Sequence, residues 1–406
     1  MPAFPLRSRR RAAGPAGLTT VMALLAACSL VAPATIAPRQ SVAEATDVPT
    51  PSPPAATLTA SPGLTPSPEP TASPPPPATW HTIVRALTAP AAWLDFGFAA
   101  NGDVIAIGSH DAKADPLRLF VARFTPTGRK RYEHNLDRAV TPIAGDWAAI
   151  DPVDGSIVID DFRQPTVQFW LRSFSSKTGF NLSNLRTDSG INQLAIDARG
   201  RRYGLPQYGV DGNAYAAIVR LDAKGRVRAG VDYWLRPLDA GARPDRPGIL
   251  AFPTAITIGR DGRVIVVDEP DAKDTYPDGR PRQAAVVTSL APDLSSPRQW
   301  ELPVEWPFGS EGFGTWSHRL SIAGAADGSL YVGEPVLNDA GSSIVGWRVR
   351  HFSVGGGEME SWGTGAPASG VGQPSHPQVD ARERLWVIDT NPATRTTTIA
   401  VLSLPA

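Results

Sequence analysis

Six segments of the chain share one form: a short apolar run, a polar turn and a second apolar run. They are FGFAANGDVIAIG from Phe96, AIDPVDGSIVIDD from Ala149, LAIDARGRRYGL from Leu194, ITIGRDGRVIVVDE from Ile256, SIAGAADGSLYVGE from Ser321 and QVDARERLWVIDT from Gln378. Each reads as two strands joined by a tight hairpin. Gly102, Gly155, Gly200, Gly262 and Gly328 supply the positive φ that such a turn demands; the sixth segment has Glu383 and lacks the glycine. This repeat limits the fold more than any average composition does, because a single unit cannot bury its own apolar faces and must stack on neighbours.

A second motif follows each of the first five segments. It appears as LFVARFTPTGRKRYEHNL from Leu119, VQFWLRSFSSKTGFNLSNL from Val167, AAIVRLDAKGRVRAGVDYWL from Ala216, AAVVTSLAPDLSSPRQWEL from Ala284 and IVGWRVRHFSVGGGEMESW from Ile344. These alternate apolar and polar residues, turn, and run out again as another strand. Four strands per unit, repeated six times, predict an all-β, six-bladed β-propeller. The sixth unit is one strand short, since TTTIAVLSLPA alone follows its hairpin. WHTIVRAL, from Trp80 to Leu87, stands before the first unit without a partner. It is expected to pair as the outer strand beside Thr397 to Leu404 and close the ring, because a bare edge there invites aggregation.

Ahead of the repeats the composition changes twice. Arg7, Arg9, Arg10 and Arg11 precede a short apolar run, Leu18 to Ala27, which has the pattern of a secretion signal and is too short to span a bilayer. Ser8-Arg9-Arg10 also resembles a twin-arginine signal, but the hydrophobic pattern that should follow is poor, so Sec export is the expected route. The single cysteine, Cys28, excludes an intrachain disulfide and multi-cysteine zinc sites. Leu25-Ala26-Ala27-Cys28 resembles the lipobox of bacterial lipoproteins, which implies lipid attachment at Cys28; the alternative is an ordinary signal peptide cut further on. From Val48 to Thr79 the chain is dense in Pro, Thr, Ser and Ala and cannot build a core. As polyproline II it would reach up to roughly 90 Å. The expected organisation is therefore a signal peptide over 1–27, a lipidated cysteine and stalk over 28–79, and the propeller over 80–406.

The repeats resemble the NHL and gluconolactonase-like six-bladed propellers, whose blades combine an Asp-x-Gly turn with a "VxVxD" strand and a "VxxFxxxG" strand. The resemblance covers about Trp80 to Ala406 and implies the fold; the same architecture carries enzymes, binding modules and scaffolds. Propellers of this kind bind ligands where the innermost strands converge on the central channel. Aligning the six units on their turns places Asp95, Asp146, Asn192, Thr254, His318 and His376 at or near its mouth. Two acids, an amide and two imidazoles could hold a divalent metal, or else form a water-filled polar ring. The resemblance to lactonases implies a Glu, two Asn and an Asp around one metal. Here Asn192 is the one amide and Asp95 stands in place of Glu, so no catalytic residue transfers.

Other signals are weaker. Ser317-His318 and Ser375-His376 pair a hydroxyl with an imidazole, but adjacent side chains rarely hold the geometry for proton transfer, and no G-x-S-x-G elbow surrounds either serine. Trp306, Phe308, Phe313 and Trp316 make an aromatic segment that could stack on sugar, grip a partner or pack between blades. Asp160, Asp268 and Asp389 each stand where a β run stops, and read as strand-ending punctuation. The 406 residues carry no net charge, which argues against an electrostatic nucleic-acid footprint and predicts no broad basic face for anionic lipid. The expectation is an exported, membrane-anchored module that binds a protein or carbohydrate; the alternative is a metal-dependent, lactonase-like hydrolase.

Overall fold

A computed structural model describes residues 79–403, apart from 115, 142–147, 164–167, 188–189, 207–215, 234, 239–249, 251–252, 269–284, 303–319, 339–343 and 367–369. Its strands form six four-stranded antiparallel sheets, and no helix occurs among the described residues. The chain begins with β1 (Thr79–Thr88). Blade 1 follows as β2 (Ala92–Phe98), β3 (Val104–Ser109), β4 (Leu119–Phe124) and β5 (Lys130–Asn135), and blade 2 as β6 (Ala148–Ile150), β7 (Ile157–Arg163), β8 (Gln168–Phe174) and β9 (Asn181–Thr187). Blade 3 comprises β10 (Ile191–Ile196), β11 (Arg202–Pro206), β12 (Ala216–Leu221) and β13 (Val227–Asp232). Blade 4 comprises β14 (Pro253–Ile258), β15 (Val264–Asp268), β16 (Ala285–Leu290) and β17 (Arg298–Leu302). Blade 5 is β18 (Ser321–Gly324), β19 (Leu330–Leu337), β20 (Ile344–Phe352) and β21 (Glu358–Gly363), and blade 6 supplies β22 (Gln373–Val379), β23 (Leu385–Asn391) and β24 (Thr396–Ser403).

The first strands of neighbouring blades touch around the full circle, from β2 to β6, β10, β14, β18, β22 and back to β2. That contact pattern is a closed propeller. The last sheet runs β1-β24-β23-β22, with Trp80 opposite Leu402 and Thr88 opposite Thr396, so the N-terminal strand completes the sixth blade as expected. Second strands are packed on both faces: all six residues of β3 and all five of β15 are buried. Outer strands such as β5 are open to solvent and carry charge, which discourages edge pairing.

Turn chemistry explains the two faces of the ring. Hairpins from first to second strand span residues 99–103, 151–156, 197–201, 259–263, 325–329 and 380–384, and those from third to fourth strand are equally tight. Because strands alternate in direction, both sets lie on one face. The opposite face receives connections of very unequal length, the longest being 233–252, 269–284 and 303–320. All five hairpin glycines have φ between 74° and 86°. Glu383 holds φ 61° in their place, where its side chain accepts the Ala326 amide at 3.0 Å and pairs with Arg260 from blade 4. Those tethers offset the cost of a left-handed non-glycine residue.

Candidate functional site: the channel and its mouth

The six innermost strands enclose a cavity of about 270 Å³, lined by residues from every blade. Its composition is layered. Residues four positions ahead of each turn-opening residue (Ala99, Asp197, Ala325 and Asp380) are Asp95, Gln193, Ser321 and His376, and all four line the cavity. Blade 4 has Ala255 at this position; Trp147 of blade 2 lies outside the described residues. Deeper toward the tight turns the wall becomes apolar, with Phe98, Ile150, Ile196, Ile258 and Val379 at the corresponding positions of five blades.

Innermost strands have no inward neighbour, so their edge amides need other partners. The mouth side chains supply them. Gln193 Oε1 accepts the Ile256 amide of the next blade at 2.9 Å, and Ser321 Oγ accepts the His376 amide of the next blade at 3.1 Å. Asp95 Oδ1 accepts the Phe96 amide at 2.7 Å. His376 sits at φ 51° within an irregularity between Ser375 and Gln378, and this bulge lets it line the channel. Its Nδ1 lies 3.1 Å from Ser375 Oγ, which is also 3.4 Å from the Ile388 carbonyl. His376 lines the cavity and Ser375 does not, so the imidazole faces the channel and the hydroxyl is turned away from it.

Of the residues singled out in the sequence, Asp95 and His376 stand on the channel wall, on adjacent first strands. Thr254 does not line it: it is 3% exposed and its hydroxyl points to the Val267 carbonyl of its own blade, 3.4 Å away. Asn192 lies in β10 one residue from the lining Gln193. Cys28, Asp146, Trp306, Phe308, Phe313, Trp316, Ser317 and His318 lie outside the described residues. Gln193 escaped sequence reading because a one-residue slip changes the face to which a strand residue points, and Ser321 because the alignment of blade 5 fell three residues short of it, at His318. Counting back from the turn-opening residue by a fixed number would have found both. Among the described residues no three His, Cys, Asp or Glu side chains are grouped to hold a metal ion.

Of the acids read as strand-ending punctuation, Asp268 ends β15 as expected, whereas Asp160 and Asp389 lie inside their strands. Counted from the residue that closes each hairpin, Asp161, Asp268, Glu334 and Asp389 are equivalent, so Asp161 and not Asp160 is the counterpart of Asp268. Asp161 and Asp389 lie within strands rather than ending them. Asp161 pairs with the buried Arg172, and Glu334 with Arg348 and Arg350. Asp389 accepts the Gly372 and Gln373 amides at 2.8 and 3.0 Å; burial pushes its carboxyl up, against the pull of those two donors. Asp160 occupies a position that is Ile107, Leu205, Val267, Gly333 or Ile388 elsewhere. Its Oδ2 accepts the Ile191 amide of blade 3 at 2.9 Å, while Oδ1 is buried without a partner. Burial drives this carboxyl well above its ordinary value, the Ile191 amide pulls it back, and the Asp161 charge adds to the rise.

No protein family and no curated protein matches this chain. Solved structures similar to it include a member of the DUF4221 family from Bacteroides vulgatus, at 11% identity and TM-score 0.46, covering 80% of this chain and 98% of that one. A putative oxidoreductase (glucose dehydrogenase) from Thermus thermophilus has 13% identity, TM-score 0.43 and coverage of 80% and 100%. A gluconolactonase from Xanthomonas campestris has 16% identity, TM-score 0.38 and coverage of 82% and 99%. Likeness of this degree assigns no activity to the chain.

Proposed function

We propose that this protein is an exported binding module, anchored through a lipid on Cys28, carried on the Pro-rich stalk, and using the loop face of its propeller to engage a protein or carbohydrate at the cell envelope. The observation that carries this reading is the inequality of the two faces. Tight turns close one side, while every long connection gathers on the side where the channel mouth opens. Long loops on a rigid scaffold are where recognition concentrates. Committed hydrogen bonds from Gln193, Ser321 and Asp95 to strand edges favour binding over catalysis, since these groups hold the wall together.

Two measurements test it. The Cys28→Ala chain should leave the membrane fraction and lose the mass of a diacylglycerol; unchanged partitioning and mass would refute the anchor. On an array of glycans and cell-wall fragments, the Trp306→Ala, Trp316→Ala chain should lose binding that the parent shows; equal signals for both would remove that segment from recognition. A second reading, a metal-dependent hydrolase, draws on Asp95 and His376 sharing the channel wall. It requires a stoichiometric divalent ion by elemental analysis that Asp95→Asn and His376→Ala each abolish, together with chelator-sensitive lactone hydrolysis.

A further inference from the structure

The face opposite the channel mouth divides into two halves. Six large apolar side chains are strongly exposed among the described residues, and three of them, Val153 (60%), Phe180 (64%) and Leu182 (58%), stand at the tight-turn end of blade 2. Around them, in the turns and strand starts of blades 1 to 3, the exposed charges are mostly basic: Arg129, Lys177, Arg199 and Lys224, with Lys130 paired to Glu133, against the acids Asp154 and Asp137, the latter accepting the Asn181 amide beside Phe180. Asp222 in the same region is taken up by Arg226 and Arg228. Over blades 4 and 5 the balance reverses, with Asp261, Asp293 and Asp327 exposed against Arg260 and Arg298, while Glu358 is taken up by Arg350. The exposed Met359 of that half is flanked by Glu358 and Glu360. The zero net charge of the whole chain conceals this separation.

Chain direction supplies the second observation. β24 is the third strand of its blade and runs from the loop face toward the tight turns. β1 is antiparallel to it, with Thr79 opposite Ser403, so the chain joins the ring at the tight-turn face. Everything ahead of Thr79, including Cys28 and the Pro-rich segment, is attached there.

We propose that the tight-turn face over blades 1 to 3 docks on a bilayer containing anionic phospholipid. Phe180, Leu182 and Val153 enter the interfacial region, and the flanking Lys and Arg side chains meet phosphate headgroups. The channel mouth and its long loops then face away from the membrane. The source of the bilayer rests on the Cys28 reading; the surface chemistry does not. The position of Leu182 is Arg131 in blade 1 and Arg228 in blade 3, and in blade 5 it is the exposed Met359, which lies between two acids instead of among bases.

The test is co-sedimentation of the unlipidated chain, residues 29–406, with vesicles of phosphatidylglycerol and phosphatidylethanolamine against vesicles of phosphatidylcholine. Binding is expected on the anionic vesicles, weakened at least about tenfold by Phe180→Ser with Leu182→Ser. Reversing Lys177 and Lys224 to Glu should weaken it about fivefold or more. Met359→Ser on the acidic half and Val345→Ser at the loop-face end of β20 should leave it unchanged. Equal binding to both vesicle types, full binding by the Phe180 and Leu182 variant, or an equal loss with Met359→Ser would overturn the assignment. A dimer seen by sedimentation velocity without vesicles, and removed by the same double variant, would give the patch to a second copy and also overturn it. Because this chain carries no lipid, loss of the Cys28 reading leaves the result intact, and the converse holds.

Discussion

The seam between blades 6 and 1 and the seam between blades 2 and 3 are built to different standards. The first packs Val84, Trp93, Phe96, Phe120, Phe124, Trp386, Ile399 and Val401 into one apolar cluster, with Trp93 and Phe120 rings 5.4 Å apart. Its polar atoms are matched: Trp93 Nε1 donates to the Arg85 carbonyl at 2.9 Å and Trp386 Nε1 to Asp380 at 3.0 Å. The second has a smaller apolar cluster around Val158, Leu171, Leu194 and Val219. It also buries Asp160 Oδ1, Ser173 Oγ, Thr187 Oγ1 and two nitrogens of Arg202 without partners. Arg202 stands where the other blades place Val104, Ile157, Val264, Leu330 and Leu385.

Blades 2 and 3 are tied by a link of residues 188–190, so the chain itself keeps them together and loop closure costs little. Blades 6 and 1 are joined just as closely, by residues 89–91 between β1 and β2; what has no covalent link is the pairing of β1 with β24 inside blade 6, held by their ladder and by side-chain contacts. A ring closed by strand pairing alone depends on the apolar cluster packed around that pairing.

Breaking the closing seam should have the largest effect. Removing residues 79–88 strips blade 6 of its outer strand and exposes β24, and no cooperative unfolding transition is expected from that chain; a soluble truncation with a sharp calorimetric transition would refute the closure argument. Trp386→Ala, at a site that is fully buried, should cost about 3–5 kcal/mol in denaturant titration. At the weaker seam the sign reverses. Arg202→Leu restores the residue type of the other blades and removes a buried guanidinium whose Nε and Nη1 make no hydrogen bond, so stability should rise by about 2 kcal/mol; a loss of stability would mean that its attraction to Asp151 is worth keeping.

Asp160 gives that seam a pH dependence. Its folded-state value lies above the ordinary 3.8, so the neutral carboxyl is the form the fold prefers. The stability it contributes is complete below pH ~4 and is lost as pH rises through the folded-state value. The unfolding midpoint should therefore carry a downward component with rising pH that Asp160→Asn removes; identical profiles for the two chains would place the titration elsewhere. The smallest effect is expected at the channel, where Gln193→Leu leaves the Ile256 amide without its acceptor and should cost about 1–2 kcal/mol.

Much of this was written in the order of residues. The hairpin glycines, the missing fourth strand of the last unit and the unpartnered segment at Trp80 together specify blade number and ring closure, because each is a local demand: a positive φ, an unmet strand edge, an apolar face needing cover. Position along the chain also led to Asp95 and His376. The sequence could not distinguish Asn192 from Gln193 or Asp160 from Asp161, since a strand sends neighbouring residues to opposite faces and a bulge shifts that alternation by one. Nor could it reveal that a chain of zero net charge gathers its bases beside Phe180 and its acids beside Met359. Charge counts add along the chain regardless of place, and only the folding of twenty-four strands into a ring decides which turns become neighbours.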